Sequence, residues 1–146
     1  MKRSTHSIAA LLVLATTSNG AVAQEVSPPR ACKERPEVVD QCYMTRGRFA
    51  VYNGNPSFRI WKVGTNRLLG VREGSPEDPM MPHELFYGID ARVFADFLVC
   101  PLTKERPGWM QMVCVQSAEN IRVEKFNTVT GEVEKTFVEG MVEMDY

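Results

Sequence analysis

The stretch that decides the fold reads RGRFAVYNGNPSFRIWKVGTNRLLGV, from Arg46 to Val71. Apolar side chains occupy every second position from Phe49 to Val51 and again from Phe58 to Ile60, which is the period of a half-buried strand. Between them, residues 53–56 read NGNP, where Gly and Asn tolerate positive φ and Pro donates no backbone hydrogen bond. The stretch therefore predicts a three-stranded antiparallel meander.

The loop after the first strand sets how the first two strands pair. A two-residue loop at Asn53-Gly54 would place Arg48 opposite Arg59, a like-charge pair that costs up to about 1 kcal/mol. A four-residue loop over residues 53–56 avoids this pair and keeps Pro56 out of the ladder. We therefore predict the longer loop. It pairs Phe49 with Ile60 and Val51 with Phe58 on the core face, and Arg48 with Trp61 and Ala50 with Arg59 on the other face.

A second tight turn leads into the third strand. Its central residues are predicted to be Gly64-Thr65, and Gly at the first central position suits a type II′ hairpin turn. This turn sets Ile60 opposite Leu69 and Phe58 opposite Val71. The same apolar face then extends across all three strands.

The second half of the chain contains a predicted long hairpin. Phe94–Leu102 and Trp109–Gln116 are rich in apolar residues and flank a loop that contains Pro and Gly. We predict that Cys100 lies opposite Cys114 in this hairpin. That register also pairs Val99 with Val115, Leu98 with Gln116 and Leu102 with Met112.

Two further strand segments and one helix complete the prediction. After an interruption at residues 117–120, Ile121–Phe126 continues as a strand, and Glu132–Val138 alternates apolar and charged residues and pairs back on it. Between the meander and the hairpin, His83–Phe94 spaces its apolar residues as a short helix does, although Gly88 disfavours one.

Five or six strands with one short helix between the third and the fourth predict a mainly β protein. This order favours a small antiparallel β-barrel of the type found in OB (oligonucleotide/oligosaccharide-binding) folds. A sandwich of two β-sheets is the alternative.

The N-terminus has the three parts of an export signal. Lys2 and Arg3 form the basic region, Ile8–Ala15 the apolar stretch and Ala21-Val22-Ala23 the cleavage site. The chain is therefore divided into a signal peptide (1–23), a leader (24–41), a single β-rich domain (42–138) and an acidic tail (139–146). The mature protein is expected in the periplasm or outside the cell.

Charge and hydropathy argue against nucleic-acid binding and against a transmembrane segment. Removing residues 1–23 takes away two of the 17 basic residues and none of the 18 acidic ones, which leaves a net charge of about −3. Nucleic-acid binding calls for a basic excess, so no nucleic-acid partner is predicted. The apolar stretch of the signal is too short to span a bilayer and no later segment approaches its length, so no transmembrane segment is predicted.

The four cysteines, Cys32, Cys42, Cys100 and Cys114, follow the signal and predict two disulfides in an oxidising compartment. Three connectivities are open. Closeness in sequence favours Cys32–Cys42 and Cys100–Cys114. Zinc binding would need closer paired spacing of the cysteines, so no metal site or cofactor is predicted.

The string R-G-R-F-x-V-Y-N-G-N-P-S-F-R-I-W-K-V-G-T-x-R-L-L-G-V, followed by F-A-D-F-x-V-C-P, resembles a group of small exported proteins of Gram-negative bacteria. The resemblance covers Gly47–Val123. That group carries no assigned activity, so the resemblance implies export and a shared β-domain and transfers no active site.

The outer face of the meander holds the candidate ligand-binding residues. Guanidinium and aromatic groups side by side can hold an anionic or sugar ligand through hydrogen bonds, stacking and cation-π contacts. The alternative interpretation is cross-strand packing of Arg48 on Trp61. The candidates are Arg48, Tyr52, Arg59 and Trp61, with Arg46 beside them.

Enzyme motifs are absent from the sequence, including G-x-S-x-G, the P-loop and H-E-x-x-H. One histidine, His83, remains after the signal peptide, and Glu84, Asp90 and Asp96 are close to it in sequence. Two carboxylates at a suitable distance can act as a glycosidase pair. No catalytic residue is predicted, and a small carboxylate-dependent hydrolase is kept as an alternative.

The sequence favours a non-enzymatic binding or interaction module for a protein, a peptide or an anionic glycan. Its basis is the ordered arginine and aromatic positions in a chain without catalytic motifs. The alternatives are the small hydrolase and a structural or assembly protein of the cell envelope whose edge strand pairs with another chain.

Overall fold

The structure is a computed structural model that describes residues 30–144. The predicted signal peptide and the first residues of the leader lie outside this range. Within it the chain forms two 3₁₀ helices, Cys32–Glu34 and His83–Leu85. It also forms seven strands: β1 (Tyr43–Val51), β2 (Phe58–Lys62), β3 (Leu68–Val71), β4 (Ala91–Pro101), β5 (Gln111–Phe126), β6 (Val133–Val138) and β7 (Val142–Glu143).

The predicted pairing of β1 with β2 is confirmed. Residues 53–56 form a four-residue loop, and the backbone N–H of Tyr52 donates to the carbonyl of Ser57 at 2.8 Å, which closes it. All four predicted cross-strand pairs are present: Phe49 with Ile60, Val51 with Phe58, Arg48 with Trp61 and Ala50 with Arg59.

The second turn has the predicted register but a different geometry. Ile60 lies opposite Leu69, as expected. The N–H of Thr65 donates to the carbonyl of Lys62 at 3.1 Å, so the central residues are Val63 and Gly64, not Gly64 and Thr65. Gly64 is the second central residue with φ +79°, a backbone conformation that Gly adopts without a steric penalty. The predicted type II′ turn at this place is wrong.

The strands form one sheet that closes on itself. Its order is β3-β2-β1-β4-β5, and β3 also pairs with β5, so five strands make a ring. The β3–β5 pairing is parallel and the others are antiparallel. β6 continues the sheet from β5 outside the ring, and β7 pairs with β5 over Ser117 and Ala118. The fold is mainly β, as predicted.

The β4–β5 hairpin has the predicted centre. Cys100 lies opposite Cys114 and Val99 opposite Val115. The predicted pair of Leu98 with Gln116 is wrong, because the register shifts by one residue after Leu98 and its partner is Ser117. The sequence predicted an interruption over residues 117–120, whereas β5 continues through them with irregular pairing and a positive φ of 53° at Asn120.

The helix predicted over His83–Phe94 is wrong beyond its first turn. Only His83–Leu85 is helical, and β4 begins at Ala91. From Ala91 to Phe97 the buried side chains alternate with more exposed ones, which is strand periodicity. Gly88, at φ +112°, separates the helical turn from the strand.

The core fills the inside of the ring. Ile60, Phe97 and Leu85 are fully buried and are among its largest side chains. Gly47 of β1 faces them, since a Cβ atom there would overlap Ile60 Cγ2 and lie 3.1 Å from the ring of Phe97. The absence of a side chain at residue 47 therefore makes room for Ile60 and Phe97.

The disulfides connect distant segments. Cys32 is bonded to Cys114 and Cys42 to Cys100, so the expected local pairs are wrong. Register explains the second bond: Tyr43 pairs with Val99, which brings Cys42 level with Cys100 at the start of β1. The first bond fastens the 3₁₀ helix Cys32–Glu34 to β5. Two disulfides fit a chain that folds in an oxidising compartment.

The segments flanking the ring also pack on it. Arg35 is buried and donates two hydrogen bonds to Asp78, at 2.7 and 2.9 Å, and a third to the carbonyl of Pro79 at 2.7 Å. Met144 is buried beside the two disulfides. Among residues 30–144, no helix is long and apolar enough to cross a membrane.

Candidate anion-binding site

The four predicted ligand-binding residues lie together on the outer face of β1 and β2. The guanidinium carbon of Arg48 is 5.1 Å from the centre of the Trp61 ring, and that of Arg59 is 5.1 Å from the Tyr52 ring. Arg48 also donates a hydrogen bond of 3.2 Å to the Tyr52 hydroxyl. The packing of Arg48 on Trp61 is therefore real, and it leaves the guanidinium groups at the surface of the sheet.

Each side chain is held by the local structure. Trp61 Nε1 donates to the carbonyl of Thr65 at 2.6 Å in the turn after β2, which fixes the plane of the ring. Arg59 Nε donates to the carbonyl of Pro56 at 2.9 Å in the loop before β2. The two turns that the sequence predicted thus orient two of the candidate residues.

A third arginine, Arg92 of β4, completes the cluster. Ala50 of β1 pairs with Arg59 on one side and with Arg92 on the other, so the small residue lies between two arginines on the same face. Arg48 and Tyr52 precede and follow Ala50 by two residues and share that face. The guanidinium carbon of Arg92 is 4.2 Å from the centre of the Phe126 ring.

Sequence reasoning missed Arg92 and Phe126. They reach the site through the pairing of β1 with β4 and of β4 with β5, which connect residues far apart in the chain. Because His83–Phe94 was predicted as a helix, the alternation of Arg92 with its buried neighbours was not interpreted as a strand pattern.

The three arginines of this site lack acidic partners. Within residues 30–144, no carboxylate lies within 4.0 Å of the side-chain nitrogens of Arg48, Arg59 or Arg92. Arg46, also expected at this face, differs: its Nη1 is 3.2 Å from Asp96. Arg46 is therefore paired with a carboxylate, whereas the three arginines around Ala50 form no ion pair within the described residues. Glu124 lies opposite Arg92 in the β4–β5 ladder without an ion pair to it.

One donor of the cluster is also unused. The Nε atom of Arg48 is buried and has no hydrogen-bond partner among the described residues. A buried donor without a partner carries a free-energy cost of about 1 to 3 kcal/mol.

Two shallow clefts meet at Arg48 and Tyr52. The first, of about 360 Å³, lies between these residues and Trp61, Asn66 and Leu68. The second, of about 300 Å³, includes Ala50, Arg92 and Phe126 on the β4 side. Asp90 also lines the second cleft and is a carboxylate that a ligand must avoid. The clefts together form an open groove, and Arg59 lies beside it rather than in the lining of either cleft.

The cationic groups of the groove are guanidinium groups, which form charge-assisted hydrogen bonds with anions. Arginine keeps its charge at all physiological pH values and neither donates nor accepts a proton in catalysis. Two groups away from the groove, Tyr43 and Asp78, have shifted pKa values. Burial, followed by the charge of Glu105, raises the pKa of Tyr43, and the hydrogen bond from Arg35 lowers the pKa of Asp78.

The residues considered for hydrolysis do not converge. His83 and Glu84 line a cleft beside Pro76 and Pro82, Asp90 lines the groove, and Asp96 is bonded to Arg46 and Asn120. The His83 side chain is 88% exposed. Among the described residues, no group of three or more His, Cys, Asp or Glu side chains could hold a metal ion.

Comparison of the chain with protein-family models, with curated proteins and with solved structures found no match.

Proposed function

We propose that this protein is an exported, non-enzymatic binding module that holds an anionic glycan in the groove around Ala50. The observation that carries the proposal is the set of three arginines without acidic partners, Arg48, Arg59 and Arg92. Uncompensated guanidinium groups on one face of a sheet favour a ligand that brings carboxylate or sulfate groups.

The aromatic rings favour a glycan over a small inorganic ion. Tyr52 and Trp61 are half-buried and stand beside the guanidinium groups of Arg59 and Arg48. Flat rings beside hydrogen-bond donors provide both a stacking surface for a sugar and partners for its charged groups. The open groove suits a ligand that extends along the sheet.

The proposal includes an OB-like barrel as the scaffold. Its support is the strand order β1-β2-β3-β5-β4, the parallel contact of β3 with β5 and a helical turn between β3 and β4. Barrels of this class bind ligands on the face of their second and third strands and on the adjoining loops. The groove includes β2 and neighbours β3 at Leu68.

The direct test is a titration with a sulfated oligosaccharide, a heparin-derived octasaccharide being the probe. In a Trp109→Phe background Trp61 is the remaining tryptophan, so its fluorescence reports on the groove. We expect the emission to change on binding and the affinity to fall as salt rises, because salt screens exposed charges.

Single substitutions Arg48→Gln, Arg59→Gln and Arg92→Gln are each expected to weaken binding about tenfold, as loss of one charged hydrogen bond implies. Arg106→Gln is the matched control, since it removes the same charge from the exposed loop between β4 and β5. Neutral dextran tests whether a sugar without charge binds. Poly-glutamate tests whether an anionic peptide without a sugar binds. Equal affinity of the triple variant Arg48→Gln/Arg59→Gln/Arg92→Gln and the Arg106→Gln protein would overturn the proposal.

A further inference from the structure

Strand β6 is an open edge of the sheet. It pairs with β5 over Val133–Val138, and no other strand among residues 30–144 pairs with its second side. It lies outside the five-stranded ring, and Val133 to Phe137 are exposed. An edge strand of six residues carries enough unpaired backbone groups to accept a further strand.

The direction of the unpaired groups follows from the ladder. Phe126, opposite Val133, donates its backbone N–H to Asp90 and so away from β6. Hydrogen-bonded and non-hydrogen-bonded pairs alternate along an antiparallel ladder. The N–H and C=O groups of Val133, Lys135 and Phe137 therefore point to the open side, whereas those of the residues between them point to β5.

The side chains of the same residues lie on the outer face of the sheet. Phe137 pairs with Arg122 and Lys135 with Glu124, and both partners face outward. The Phe137 side chain is 74% exposed, an unusual position for a large aromatic residue. Glu139 lies directly after the last residue of β6, two residues beyond Phe137, and is also exposed.

A second copy of the chain fits this edge by charge. A two-fold axis perpendicular to the sheet keeps the outer faces of both copies on the same side. Residues that pair across it therefore share a face, and their numbers differ by an even amount because successive side chains alternate between faces. An axis at Lys135 sets two lysines directly opposite, which is unfavourable. An axis at Phe137 sets phenylalanine against phenylalanine and places each Lys135 opposite Glu139 of the other copy.

We propose that two copies of this chain pair antiparallel through β6, with the two-fold axis at Phe137. The pairing uses the open backbone groups of Lys135 and Phe137, covers the exposed aromatic ring and forms the Lys135–Glu139 ion pair twice. It uses none of the three arginines of the groove, so dimer formation and ligand binding can be tested with separate variants.

The test is sedimentation of the mature protein over a range of concentrations. The wild-type chain is expected to reach a dimer. Lys135→Glu and Glu139→Lys are each expected to raise the dimer dissociation constant about tenfold, because each sets like charges opposite twice. The double variant Lys135→Glu/Glu139→Lys restores opposite charges and is expected to recover the dimer.

Two further variants separate edge pairing from general damage. Phe137→Pro removes an N–H that points to the open side and leaves the bonds to β5 in place, so it should abolish the dimer while circular dichroism stays unchanged. Glu134→Lys changes charge on the other face of β6 and should keep the dimer. A monomeric wild-type chain, a dimer that survives Phe137→Pro, or a double variant that stays monomeric would each overturn the proposal.

Discussion

Cys100 and Cys114 lie directly opposite each other on β4 and β5, yet neither is bonded to the other. Cys100 is bonded to Cys42 at the start of β1, and Cys114 to Cys32 in the N-terminal 3₁₀ helix. Each bond fastens the hairpin to a segment that precedes the meander. The two bridges therefore join the beginning of the described chain to its second half.

The connectivity can be tested by tryptic digestion without reduction. Cleavage after Lys33, Arg46 and Lys104 is expected to place the four cysteines in four separate peptides. Mass spectrometry should find the Cys32 peptide linked to that of Cys114, and the Cys42 peptide linked to that of Cys100. A Cys100–Cys114 link would contradict the structure.

The same bridges should contribute strongly to stability. They span sequence separations of 82 and 58 residues. Loops of this length correspond to about 4 kcal/mol each in the chain-entropy treatment. Replacing either bonded pair with serine should lower the free energy of unfolding in urea by a few kcal/mol, whereas a change below about 1 kcal/mol would contradict this expectation.

The sequence could predict what local pairing determines. The β1–β2 register followed from the turn at residues 53–56 and from the cost of placing Arg48 opposite Arg59. The candidate residues on these two strands were predicted together with that register. Arg92 enters through the β1–β4 pairing, which no local signal specifies. The predicted disulfide pairs were wrong for the same reason. They were chosen by closeness in sequence, whereas the distance between the cysteines in the folded sheet decides which pairs can bond.

A third prediction concerns the close contact at Gly47. Substitution Gly47→Ala adds a methyl group that would overlap Ile60 and crowd Phe97 inside the ring. Overpacking of this kind costs about 1 to 3 kcal/mol. Urea unfolding should show this loss without a change in the cooperativity of the transition.

The steric origin of that loss can be separated from a general effect on β1. Ile60→Ala removes the overlapping atom, so the double variant Gly47→Ala/Ile60→Ala should be more stable than the sum of the two single effects implies. Additive losses would show that Ile60 is not the residue that excludes a side chain at position 47.

The last prediction concerns acid stability and the contact between Arg35 and Asp78. The hydrogen bonds from Arg35 hold the pKa of Asp78 below its ordinary value of 3.8. A carboxyl whose pKa is lower in the folded state stabilises the fold above the unfolded pKa, and this contribution is lost as pH falls through the folded pKa. Asp78→Asn should therefore lower the free energy of unfolding at pH 7, and the difference from wild type should shrink below about pH 4.

The expected loss at pH 7 is about 1 to 2 kcal/mol, because the Asp78 side chain is 52% exposed and solvent screens the pair. Arg35 keeps its bond to the carbonyl of Pro79 in the variant, which limits the cost of its buried charge. Urea unfolding at pH 7, 5, 3 and 2 measures the difference. Glu77→Gln is the control, since Glu77 is an exposed neighbour. A loss for Asp78→Asn that is equal at pH 7 and pH 2 would show that the carboxylate charge does not stabilise Arg35.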